Sequence, residues 1–352
     1  MTLTAEAPQF AVVSSRWRLD HAVPFDEWRV VRISLMLSYL GVYLWWLREW
    51  GLPIDRISVA ISVGIFLVCA FIGRTWRTWM VLLGDAVAYC VMWVTYERTR
   101  DWADNGFSVF DLFTVKFPLQ VESVRNIDRV LFFGSDPNVV LQQRFWEPTV
   151  RWYDVVASSV YMTHFVVPVV AMAVLWATSH RQWIRFMKRF ATLLGVACAM
   201  FVILPTAPPW MVASPKYPYQ LFDELHRNAG RGFLHLGFSG FTNDYGVQLS
   251  KGNAVAAMPS LHASFALIVP LFFIRWVRQR WVRIALLSFP ALMLTSLVYL
   301  GEHWVIDGIV GWLITVATFL FWDWHERRTR GLRVDIARDA LGIPGIAAAT
   351  TT

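Results

Sequence analysis

Eight apolar runs separated by polar, mostly basic connections constrain this chain more than any other feature. They fall at about 30–47, 57–73, 78–96, 154–177, 190–206, 259–275, 283–300 and 303–322, and about 20 apolar residues suffice to cross the hydrocarbon core of a bilayer. In lipid each backbone N–H and C=O must find its partner internally, so such runs fold as helices. The expected fold class is an all-α polytopic membrane protein with about eight transmembrane helices. Composition agrees: 56% of residues are hydrophobic and only 16% are charged, below the roughly 25% of ordinary globular domains.

The formal net charge of +7 would suit a nucleic-acid binder, but the basic residues sit between the apolar runs, where they set membrane topology instead. No nucleic-acid partner is expected. The 20 Trp fit the same picture, because indole rings favour the membrane–water interface. Cys69, Cys90 and Cys198 all lie inside apolar runs, which points to neither a disulfide framework nor a metal cluster. Met1 to Asp26 is polar and lacks the apolar core of a signal peptide, so the first span is expected to act as the insertion signal.

Orientation follows from Lys and Arg. The N-terminal arm carries Arg16, Arg18, Arg29 and Arg32, and the second connection carries Arg74 and Arg77. The fourth holds Arg181, Arg185, Lys188 and Arg189, the sixth Arg275, Arg278, Arg280 and Arg283, and the tail Arg327, Arg328, Arg330 and Arg333. The positive-inside rule puts both termini and the even-numbered connections in the cytoplasm. Two long connections, 97–153 and 206–257, then lie outside. The first mixes charge with short amphipathic runs and is expected to form interfacial helices; its Asp128–Gly134 turn and following helix would cap a site or serve as a platform. The second is rich in Pro, Gly and aromatics, as functional lids often are. Residues 330–352 read as a loosely ordered tail.

The same topology places two histidine motifs on one membrane face. One is Met258-Pro259-Ser260-Leu261-His262, the other Gly301-Glu302-His303-Trp304-Val305-Ile306-Asp307. A titratable side chain at the mouth of an apolar run is costly unless it does chemistry. His303 and Asp307 are four apart, the spacing at which a carboxylate on the same helical face orients an imidazole. His303 would attack phosphorus and His262 would act as acid and then base. Pro259 and Ser260 would open a helix whose free N–H groups cradle the phosphate. The competing readings are structural histidines, a buried His–Asp hydrogen bond and a metal site; no further ligand lies near enough in sequence to favour the last. A proton-coupled transporter is a reading from another class, but its ionisable groups would sit nearer the midplane.

These residues also resemble a known family. Ser260-Leu261-His262 and Ser296 to Asp307 are similar to the second and third motifs of the type-2 phosphatidic acid phosphatase superfamily. Leu204-Pro205-Thr206-Ala207-Pro208-Pro209-Trp210 before them resembles the inositol phosphorylceramide synthase branch. The resemblance implies a metal-independent enzyme without cofactor and a phosphohistidine at His303, oriented by Asp307 and served by His262. It also implies a six-helix catalytic core at 78–325, preceded by an arm at 1–29 and two additional helices at 30–77, and followed by a cytoplasmic tail at 326–352. The superfamily's phosphatases carry Lys and Arg in the first motif and Arg after the serine of the third. Here Pro205–Trp210 has neither, and Leu297 follows Ser296. Those departures favour a phosphotransferase that moves a phosphoinositol-type headgroup from a membrane lipid donor to a lipid or glycolipid acceptor; a lipid phosphate or polyprenyl diphosphate phosphatase is the alternative. Lys216, Arg227, Arg231 and Lys251 are the candidate countercharges, and Trp210, Tyr299 and Trp304 the candidate headgroup aromatics. The high ratio of Arg to Lys points to a bacterial cell membrane.

Overall fold

The computed structural model describes residues 27–50, 56–109, 113–214, 225–235 and 255–340. Lys216 and Lys251 lie outside the described residues. The helices are α1 (Arg29–Trp50), α2 (Arg56–Phe71), α3 (Trp76–Asn105), α4 (Glu122–Leu131), α5 (Pro137–Phe145), α6 (Trp152–Thr178), α7 (His180–Ile203), α8 (Pro209–Ala213), α9 (Arg231–His235), α10 (Leu261–Phe273), α11 (Arg280–Tyr299) and α12 (Val305–Ala340). Among the described residues, strand structure is confined to an antiparallel pair, Phe107–Val109 with Phe113–Val115, and to single bridges from Thr206 to Gln120 and Ala256. The protein is an all-α, multi-pass membrane protein.

Each of the eight apolar runs is helical. Among the described residues, five helices are long and apolar enough to cross a membrane: Trp76–Ala103, Trp152–Trp176, His180–Ile203, Arg280–Tyr299 and Val305–Thr329; Ile61–Phe71 and Leu261–Trp276 are shorter apolar helices. Three boundaries differ from those expected. The third helix continues to Asn105 and the last to Ala340, so part of the tail expected to be loose is helical. Its Arg, Leu and Ala residues are good helix formers. α7 begins at His180 rather than near 190, because Arg185 and Arg189 are paired on the helix instead of lying in a loop. Arg189, 1% exposed, bonds Asp323 at 2.5 Å and Glu326 at 3.0 Å, and Arg185 bonds Glu326 at 2.5 Å. A buried guanidinium is tolerable only when paired in this way.

The described residues fall into two compact units. One comprises α1 as far as Glu49, α2 and α3 as far as Ala86, and the other comprises Trp50 and the described residues from Val87 onward. Within the first, the Arg32 guanidinium donates to the Ile72 carbonyl at 2.9 Å and the Tyr39 hydroxyl to the Ser62 carbonyl at 2.9 Å. In the second, α10 packs on α6, α7, α11 and α12, and α6 packs on α7, α9 and α11. The buried stripe of α7 (Trp183, Phe186, Met187, Phe190, Leu193, Leu194, Ala197, Cys198 and Phe201) recurs at helical spacing and meets Ile268 and Phe272 of α10. Outer faces are equally apolar: Val166, Val169 and Val170 of α6 and Leu313 and Leu320 of α12 are exposed. A face that is apolar inside and out belongs in lipid.

Candidate active site

The site is built on the five-residue turn between α11 and α12. Gly301 holds φ at +74°, a left-handed conformation that costs a residue with Cβ. Around it the Gly301 N–H reaches the Val298 carbonyl at 3.1 Å and the Glu302 N–H the Leu297 carbonyl at 3.0 Å. Other segments clamp the turn from outside. Asn138 of α5 donates its amide to the carbonyls of Val298 (2.9 Å) and His303 (3.0 Å). One turn later, Gln142 donates to Tyr299 (2.8 Å) and His226 (2.7 Å) and accepts from the His226 N–H. The Trp304 indole donates to the Ala207 carbonyl at 2.8 Å, and the Trp210 N–H to the Gly301 carbonyl at 3.0 Å.

Two helix starts then supply the chemistry. At α12 the first-turn N–H groups have no acceptor within the helix. Trp304 N–H bonds Asp307 Oδ2 at 3.0 Å, the backward half of a capping box. Val305 and Ile306 bond the Asp128 carboxylate at 2.8 and 2.9 Å. Burial pushes the Asp128 carboxyl up to about 6, against the lowering effect of those two N–H bonds. At α10, Ser260 is the N-cap and its hydroxyl accepts from the Ala263 N–H at 3.3 Å; Pro259, expected in the first turn, precedes the cap. The Ser260 N–H donates to the Asp307 carbonyl at 2.9 Å and ties the two helix starts together. The N–H groups of Leu261 and His262, at the first two helical positions, have no acceptor within α10.

This join brings His262, His303 and Asp307 into one chain of contacts. His303 Nδ1 lies 3.3 Å from Asp307 Oδ2, and His303 Nε2 lies 3.1 Å from His262 Nδ1. His303 precedes α12 rather than sharing a helical face with Asp307; the N3 carboxylate reaches back over the helix start instead. A carboxylate accepts, so Nδ1 of His303 carries the proton and Nε2 presents its lone pair. His303 is 5% exposed and Asp307 is fully buried.

The remaining candidates divide. Arg227 forms a two-point bond with Glu302, the neighbour of His303, at 2.7 and 3.1 Å, and its guanidinium stacks 4.0 Å from the Trp210 ring. Arg231 is bound to the Glu147 carbonyl, lies 3.8 Å from Asp154 and stands 4.9 Å from the Trp146 ring. The Tyr299 hydroxyl donates to Asp154 at 2.5 Å, and Leu297 is fully buried. Asp128 and Gln142, clamps on the site, belong to the stretch expected to cap a site or serve as a platform, although the sequence assigned neither a contact; Asn138 was not singled out, and neither was His164 on α6. Its ring centre is 3.8 Å from that of His262. An ionisable residue three turns inside an apolar helix is the signal that would have found it.

Comparison with known proteins agrees with this architecture. The chain is 26% identical over 285 residues to a phosphoinositol dihydroceramide synthase of Bacteroides thetaiotaomicron, covering 79% of this chain and 88% of that one. No solved structure matches. A family model described as the PAP2 superfamily matches residues 122–321. That stretch is more than half of the chain and contains both histidines, Asp307 and the clamps around them: the chain belongs to the PAP2 superfamily.

Proposed function

We propose that this membrane enzyme, a lipid phosphoester phosphotransferase or phosphatase, works as a phosphotransferase through a phosphohistidine at His303. The contact chain His262–His303–Asp307 carries the reading. His303 Nε2 attacks the phosphorus of a lipid phosphodiester and the phosphorus–oxygen bond to the departing diacylglycerol breaks. His262 delivers a proton to that oxygen, and Asp307 stabilises the imidazolium formed at His303. An acceptor hydroxyl then attacks phosphorus, gives its proton to His262 and releases His303. The phosphate oxygens face the first-turn N–H groups of α10 and the Arg227 guanidinium, with Ser260 fixing the helix start and Trp210 backing the arginine. Arg231 and Tyr299 serve the fold through Asp154. Residues 78–325 form the catalytic core.

The name of the Bacteroides relative supports a phosphoinositol headgroup as the group moved and a lipid or glycolipid hydroxyl as acceptor. The distribution of Lys and Arg supports cytoplasmic termini and a site on the outer face of a bacterial membrane. Purified protein in vesicles with inositol-labelled phosphatidylinositol tests the reading. A new labelled lipid is the expected product. Free inositol phosphate as sole product would make the enzyme a hydrolase.

A further inference from the structure

His262 must carry a positive charge at the moment it acts as acid. A neutral imidazole that gave up its Nδ1 proton would be left as an anion, whereas an imidazolium is left neutral. That cation has to survive where little is there to receive it. Nε2 of His262 is buried and bonded to nothing among the described residues. His303 and Asp307 occupy the Nδ1 side. Arg227, whose charge acts on His262 from the 225–230 segment, is like-signed. What α6 brings against the ring is aromatic. Tyr161 stacks on His262 with centres 4.9 Å apart and planes 27° apart, and His164, one turn later, lies 3.8 Å away with planes at 56°.

The His164 ring is itself fixed. Its Nδ1 is 2.8 Å from the Tyr161 carbonyl; a carbonyl only accepts, so this nitrogen carries the proton and the ring has one tautomer when neutral. Two adjacent imidazoles do not both ionise readily, because like charges at this distance repel. When His262 takes the charge, His164 stays neutral and offers its π system. A cation against aromatic rings in a desolvated place is stabilised appreciably.

We propose that Tyr161 and His164 form an aromatic cage that holds the ring of His262 and stabilises its imidazolium form, making both positioning residues for the acid–base step. This rests on the reading of His262 as acid and base. It also accounts for a histidine three turns inside an apolar helix, where a polar ring costs free energy unless it is used.

Substitution at His164 separates the π face from the ring nitrogens. His164→Leu keeps an apolar side chain suited to a lipid-embedded helix and removes the face. Its kcat is expected to fall about ten-fold, the size of one such contact, with KM within about two-fold because no substrate contact is lost. Losing the stabilisation makes His262 easier to deprotonate, so the alkaline limb of kcat against pH moves about one unit lower. His164→Phe restores the face and should bring kcat back to within about three-fold of the wild type. Tyr161→Leu, made independently, should lower kcat and shift the limb in the same direction. Unchanged kcat and pH limb in His164→Leu would overturn the cage. So would a His164→Phe enzyme as slow as His164→Leu, which would mean that a ring nitrogen passes a proton. His262→Ala is the control for the underlying reading: full turnover there would remove His262 from the chemistry, whatever the cage variants show.

Discussion

Asp128, on α4, accepts the backbone N–H of Val305 at 2.8 Å across 177 positions of sequence. The bond, with its twin to Ile306, means that a carboxylate from one element caps the helix that carries Asp307 from another. Asp128→Ala leaves two first-turn N–H groups without an acceptor, each buried orphan costing about 1–3 kcal/mol. The variant should unfold at a lower temperature in detergent and lose turnover, because the start of α12 sets the distance from Asp307 to His303. A variant with native turnover would show that the site does not depend on this cap.

The same residue gives a pH signature. An aspartate in the unfolded chain titrates near 3.8, and burial pushes Asp128 in the fold up to about 6. Between those values the fold binds the proton more tightly than the unfolded chain does. The resulting stability is fully present below about 3.8 and lost as pH rises through about 6, and amounts to at most about 3 kcal/mol. Asp128→Asn has no proton to lose. Between pH 5 and 7.5 the thermal midpoint of the wild type should therefore decline relative to that of Asp128→Asn. Parallel curves would contradict this.

Asp307 holds the Trp304 N–H and faces His303 Nδ1 with one oxygen. Asp307→Asn preserves size but offers a neutral amide, which cannot stabilise the imidazolium that forms at His303. We expect kcat to fall by roughly 10²–10⁴ with KM little changed. Labelled substrate and a denaturing quench at neutral to mildly alkaline pH, where the phosphorus–nitrogen bond survives, would report the phosphohistidine: His303→Ala should trap none, and label retained in that variant would place the nucleophile elsewhere.

How much of this was legible in the sequence depends on whether the signal is local. The eight helices were, since each apolar run declares itself within about 20 residues. His262, His303 and Asp307 stand out because ionisable side chains are rare beside such runs. The partners of Asp128, Asn138 and Gln142 carried no local mark: the groups they bond lie up to 178 residues away, and their segment reads equally well as a cap on the site and as an interfacial platform. The partner of Tyr299 was no more legible: the aromatic stands beside the third motif, and its hydroxyl donates to Asp154, 145 residues earlier. α7 began early because charges that look like a loop are cancelled by Asp323 and Glu326, some 140 residues on.

Arg227 and Glu302 offer a test of phosphate binding. Their two-point pair is half-buried beside His303, and Arg227 also stacks on Trp210. Arg227→Lys keeps the charge but loses the fork and the stack. Its KM for the lipid donor should rise about ten-fold or more, with kcat falling as well if the arginine meets the transition state. Glu302→Gln frees the guanidinium and should weaken the salt dependence of turnover least among the pair's variants. If Arg227→Lys leaves KM for the donor unchanged, the phosphate is neutralised by another group.

Gly311 decides how closely α10 can approach α12. A Cβ there would stand 2.6 Å from Ser264 Oγ and 2.7 Å from the Ser260 carbonyl. Ser264 is locked too, its hydroxyl donating to that same carbonyl at 2.8 Å. Backbone cannot yield as the end of a flexible side chain can, so Gly311→Ala must push the start of α10 away from α12. His262 sits two residues after Ser260, while His303 stays with the turn clamped by Asn138, so the 3.1 Å contact between the histidines opens. Overpacking of this kind costs about 1–3 kcal/mol, yet a shift of about 1 Å in a proton-transfer geometry can cost a hundred-fold in rate. Gly311→Ala is therefore expected to lose far more activity than stability, measured as kcat beside the thermal midpoint. A variant that unfolds readily but turns over at the native rate when folded would mean that the two helix starts need not be held this close.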